Sequence, residues 1–129
     1  MGCDVHVTFE VKLKGKWELY SQPNIRRDYE LFEKMAGVRG KAEKAMCPPK
    51  GLPDDISALS KLIHRHTHTH SWFDADQINQ IIKWDASRNY RHSQEWGYLF
   101  GNGWDDWGKY RSDYPEEIED IRMVFSFDS

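Results

Sequence analysis

From Asp4 to Leu13 the chain alternates. Val5, Val7, Phe9, Val11 and Leu13 fall on one side, with Asp4, His6, Thr8, Glu10 and Lys12 on the other. A period of two is the mark of a half-buried β-strand. Lys14-Gly15-Lys16 reads as a turn into a second strand around Trp17–Tyr20, so the pattern predicts a hairpin. The period then becomes helical. Asp28 as a cap, Leu31, Phe32 and Met35 as an apolar stripe, and Gly37 as a stop predict a short helix over Tyr29–Ala36. Residues 38–55, rich in Lys, Gly and Pro, read as a long surface loop. A short helix is expected next, with Ile56, Leu59, Leu62 and Ile63 turned inward. A longer one is expected over about Ala75–Ser87, capped by Asp74 or Ser71, with Ile78, Ile81, Ile82 and Trp84 buried. Residues 95–110 are rich in Gly and Trp, and Pro115 is placed to start a single helical turn. The last alternation sets Ile121, Met123, Phe125 and Phe127 against Arg122, Val124, Ser126 and Asp128.

The two best strands therefore lie at opposite ends of the sequence. Pairing them in one antiparallel sheet, with helices packed on one face, buries both. The expected fold is a single α+β domain over residues 1–129. A chain of this size can bury a substantial core.

Charge narrows the partners. The formal net charge is -3, with 30% charged residues. That gives no basic field for duplex DNA and no polybasic membrane signal. Aromatic residues make up 14% of the chain, and stacking on a small nucleotide needs little positive charge. Cys3 and Cys47 are too few for a disulfide scaffold and form no C-x-x-C pair. Asp4 and His6 interrupt any apolar leader, and no apolar run approaches a membrane span. The expected location is the cytoplasm.

The richest chemistry lies at His64-Arg-His66-Thr-His68-Thr-His70-Ser-Trp72, which holds four of the six histidines. In an extended segment alternate residues share a face, so several imidazoles would point one way. Imidazole suits both metal ligation and proton transfer near neutral pH. Asp4 and His6 share the polar face of the first strand in the same way. The expected centre combines Asp4, His6, His68 and His70. His6, His68 and His70 would be acid–base groups, or all four would be ligands of a divalent zinc, manganese, iron or nickel ion. Arg27 and Arg39 are the candidate phosphate contacts, and Trp72 and Trp104 the candidate stacking rings. The competing reading makes the strand face and the histidine run solvated surface, and makes the residues from Trp96 to Tyr110 core filling.

Several short motifs, in order, span nearly the whole chain. They are Met1-Gly2-Cys3-Asp4-Val5-His6, Gly15-Lys16-Trp17, Arg27-Asp28-Tyr29 with Leu31-Phe32, Ala36-Gly37-Val38-Arg39, Gly51-Leu52-Pro53, His68-Thr69-His70-Ser71-Trp72 and Arg122-Met123-Val124-Phe125-Ser126-Phe127-Asp128. Together they resemble a group of small phage and bacterial proteins that open Met-Gly-Cys-Asp-Ile-His and carry His-Ser-His-Ser-Trp. This chain departs from that pattern by adding His64 and His66, and by having Ser126 where the group often carries an aromatic. The resemblance implies a phage-type origin, hence a host cytoplasm, and supplies no activity. With the residues above, it leads to an expected hydrolase of a small nucleotide, such as a cyclic or signalling nucleotide of host defence. The alternatives are a protein that sequesters such a nucleotide uncleaved, and one that binds and inhibits a host protein. A homodimer is compatible with each.

Overall fold

The computed structural model describes residues 2–89, 91–92, 95 and 118–129. The expected aromatic segment, its Trp104 and the turn at Pro115 lie outside them.

β1 (Asp4–Leu13) turns at Lys14-Gly15 into β2 (Lys16–Ser21). Both turn residues have positive φ, 50° and 76°. Such two-residue turns match the right-handed twist of the strands they join. α1 (Tyr29–Ala36) is capped as the sequence predicts: the Asp28 side chain accepts the Leu31 N–H, and Gly37 ends the helix at φ 74°. A 3-10 turn at Ala42–Lys44 interrupts the long loop. Then follow α2 (Ala58–His64), β3 (His68–Phe73), α3 (Ala75–Ala86) and β4 (Ile118–Asp128). Asp74, rather than Ser71, caps α3, in a reciprocal capping box with Gln77.

The four strands form one antiparallel sheet in the order β2-β1-β4-β3. The first and last strands pair along their whole length, from Asp4 opposite Asp128 to Leu13 opposite Ile118. On one face Val5, Val7, Phe9, Val11, Ile121, Met123, Phe125 and Phe127 are buried. They pack with Leu31, Phe32 and Met35 of α1 and Ile78, Ile81 and Ile82 of α3. Each large apolar side chain so buried contributes about 1.5–3 kcal/mol.

The expected layer of helices on one face consists of α1 and α3, while α2 lies across the other face. Its inward residues are Ser60 and His64. Leu59 and Leu62, expected inside, are 59% and 54% exposed. The polar side of the sheet is therefore covered rather than wet. Thr8, Glu10, Arg122 and Ser126 are all buried there. Glu10 accepts from Arg122 Nε (2.7 Å) and from the Ser57 N–H at the start of α2 (2.8 Å). Arg122 also donates to Asp55 Oδ1 at 2.7 Å and lies 4.1 Å over the Trp17 ring. These contacts compensate charges that would otherwise be costly to bury.

A second polar cluster joins α1 to the end of α3. Asp28 Oδ2 lies 2.9 Å from an Arg88 guanidinium nitrogen and 2.8 Å from His92 Nε2. Arg88 also pairs with Asp85 and Glu30, and His92 Nδ1 reaches Glu95 at 2.9 Å. Trp84 is half-buried, with Arg88 stacked 4.1 Å from its ring centre.

Candidate functional site

β1 begins, β4 ends and β3 begins at one end of the sheet. The β1–β4 register sets Asp128 opposite Asp4 and Ser126 opposite His6, so these four share the polar face. His6 Nε2 pairs with Asp128 Oδ2, and the two side chains are 34% and 45% exposed. A carboxylate only accepts, so His6 donates through Nε2 and keeps Nδ1 as its basic nitrogen. Among the described residues Nδ1 has no hydrogen-bond partner. The result is an oriented, solvent-reachable imidazole with a lone pair to spare.

Asp4 is turned the other way. Arg27 grips it with two parallel bonds, at 3.0 and 3.1 Å. That bidentate contact holds the Asp4 carboxyl below its usual range. Arg39 sits 5.4 Å over the Tyr29 ring, beside the Cys3 thiol. The Tyr29 hydroxyl accepts the Cys3 N–H at 3.1 Å. Burial raises the Cys3 pKa, against the lowering effect of Arg39, so the thiol is no activated nucleophile. Both candidate arginines thus lie at the start of β1.

The histidine run does not stay in alternation. Thr69 adopts φ 55°, and the β3–β4 register shifts between His68 and Ser71. This bulge sends His68 and His70 apart. His68 pairs opposite Phe127; it is exposed, with Nε2 3.3 Å from Ser129 Oγ. His70 turns onto the polar face, where the His64 carbonyl accepts from its Nε2 at 2.9 Å. A β-branched residue rarely takes this backbone region, so alternation alone could not reveal the break.

His64 stands at the middle of the polar face. Its Nδ1 lies 2.6 Å from Ser126 Oγ and its Nε2 3.0 Å from Thr8 Oγ1. Thr67 donates to the His64 carbonyl at 2.7 Å, which leaves its Oγ1 to accept from Ser126 Oγ at 2.6 Å. His64 Nδ1–H then donates to Ser126 Oγ, and His64 Nε2 accepts from the Thr8 hydroxyl, a tautomer assigned from the network. Burial, with His70 and His6 nearby, pushes the His64 pKa down to about 4. The ring is neutral at pH 7. His64 and Ser126 are thus hydrogen-bonded partners.

The structure therefore places Asp4, His6, Arg27, Arg39 and His68 at one end of the sheet, with His6 on the polar face and His68 on the opposite face beside Phe127, and sets His70 farther in, beside His64. Trp72 lies farther along β3, with Lys50 Nζ 3.8 Å from its ring centre, so one ring face is taken. Among the described residues no three His, Cys, Asp or Glu side chains converge as a metal cage. The alternation gave no role to Asp128, Ser129 or Ser126. Only their position beside β1, which pairing reveals, makes them partners of the site. No protein-family model, curated protein or solved structure matches the chain.

Proposed function

We propose that this α+β domain hydrolyses a small nucleotide-like phosphodiester, with His6 as general base. One observation carries the reading. The solvent-reachable His6 imidazole is oriented by Asp128 through Nε2, with Nδ1 left for a substrate. In this reading His6 Nδ1 takes a proton from water as the water oxygen attacks phosphorus. The P–O ester bond breaks, and the leaving oxygen takes a proton from solvent. Asp128 holds the His6 ring and offsets the imidazolium that forms. Arg27 and Arg39, at the start of β1, are the candidate phosphate contacts, and Arg27 would leave its pair with Asp4 to serve.

The test is incubation with a panel of linear and cyclic nucleotides, with and without chelator. Free and heat-released species are then read by chromatography and mass spectrometry. The expected result is a phosphomonoester product that persists with chelator and falls about a hundredfold or more in His6→Ala, with unchanged circular dichroism. Turnover retained in His6→Ala overturns the reading. Product lost with chelator replaces it with metal chemistry centred on His6 and Asp128. Intact nucleotide released only on heating replaces it with sequestration.

A further inference from the structure

Arg65 differs from the other arginines. Among the described residues Arg26, Arg27, Arg88, Arg91 and Arg122 each lie within 4.0 Å of a carboxylate, and Arg39 lies over the Tyr29 ring. Arg65 is exposed, and no hydrogen bond, ion pair or ring holds it. An unpaired arginine is ordinary on a surface, so its position must decide whether it has a task.

The fold brings it to the end of the sheet that carries His6. α2 runs that way: the Ser57 N–H at its start meets Glu10, and His64 at its end meets Thr8, two residues nearer the start of β1. Arg65 follows as the C-cap residue. The chain is then fastened on both sides of it to one hydroxyl. His64 Nδ1 and Thr67 Oγ1 each lie 2.6 Å from Ser126 Oγ. Residues 65 and 66 thus bridge two contacts with Ser126, and Ser126 stands directly opposite His6 in the β1–β4 ladder. The acids at this end are engaged elsewhere, Asp128 with His6 and Asp4 with Arg27.

We propose that Arg65 binds the phosphate of the substrate beside His6, an inference that rests on the hydrolase reading and extends it. A guanidinium offers a planar fork of donors that fits two phosphate oxygens. Arg27 must give up two bonds to Asp4 before it can do this. Arg65 breaks none. Its charge is free to offset the negative charge that gathers on the phosphate oxygens as water attacks. A cation at a helix C-terminus also favours the helix dipole, but that role would appear in unfolding and not in affinity.

Two measurements on the same proteins test it: an amide-resolved NMR titration with adenosine monophosphate, and steady-state kinetics on the phosphodiester that is cleaved. The expected result is a shift of the Arg65 and His66 amides on titration. Arg65→Ala should weaken adenosine monophosphate binding and raise KM, each about tenfold or more, with an unchanged urea midpoint. Arg65→Lys should recover part of both, and Arg27→Ala should lose less than Arg65→Ala. Turnover with an unchanged KM in Arg65→Ala overturns this proposal and leaves the hydrolase reading standing. Binding that Arg65→Ala weakens, without turnover by the wild type, supports Arg65 as the phosphate contact and overturns the hydrolase reading. Absence of both binding and turnover in the wild type overturns the two together.

Discussion

The molecule holds two buried polar clusters built from opposite materials. On the sheet face, His64, Ser126, Thr67 and Thr8 form a chain of neutral groups, two of them within 3.0 Å of the imidazole. Beside α1 and α3, Asp28, Arg88, Asp85 and His92 form a chain of ions and their partners. The first avoids the cost of burying charge by staying uncharged. The second offsets that cost by pairing. Acid acts on them in different ranges. Burial opposes ionisation of Asp28, yet hydrogen bonds from Arg88, His92 and the Leu31 N–H outweigh it and bring its pKa down to about 2. For His64 burial works with its neighbours, against the proton.

The largest effect should come from breaking the ionic cluster on one side only. Arg88→Ala leaves Asp28 and Asp85 buried without their main partner, and urea unfolding should show a loss of about 3–5 kcal/mol. A loss under about 1 kcal/mol would mean that the ions are solvated and the contrast is false.

The pH dependence comes next. The unfolded His64 takes up a proton below about 6.5 and the folded one only below about 4. Stability should therefore fall as pH drops from 6.5 to 4, by about 3 kcal/mol in all. Asp28, lowered in the folded state, gives stability that is present above 3.8 and lost as pH falls toward 2. Unfolding curves over this range should show two separate losses, and His64→Gln should remove only the upper one.

The smallest effect tests how far the neutral chain depends on its outermost member. Thr67→Val removes the hydroxyl shared by Ser126 and the His64 carbonyl (2.6 and 2.7 Å), and should cost about 1 kcal/mol. A much larger cost, read from the same unfolding curves, would show that the chain acts as one unit.

β1, α1 with both its caps, and the buried stripe of α3 were legible in the sequence because each is a local pattern. β4 was legible as a strand but not as a central one. It begins at Ile118, earlier than the alternation suggested, and both its faces are buried. Alternation distinguishes two sides of a strand without saying what covers the second. Glu10 and Arg122 look like surface residues until pairing brings them 2.7 Å apart. α2 misled for a related reason: its leucines imitate a core stripe, while the residues it buries are Ser60 and His64. At the site, Asp4 and His6 were readable as neighbours. The separation of His68 from His70 was not, because it depends on one threonine in a left-handed conformation. Asp128 lies 122 positions from His6, and no local pattern spans that distance.

That distance also sets a schedule. β1 is made early, and its central neighbour in the sheet emerges only after the intervening residues. At a synthesis rate of about 5–20 residues per second, the wait is roughly 6–25 seconds. Throughout it Val5, Val7, Phe9 and Val11 have β2 beside them and α1 and α3 to pack on, but no β4 to complete their sheet. The nascent chain therefore keeps part of its apolar sheet uncovered until its final strand arrives. A ribosome that stalls before Ile118 releases a polypeptide with an open hydrophobic hairpin and no centre to its sheet.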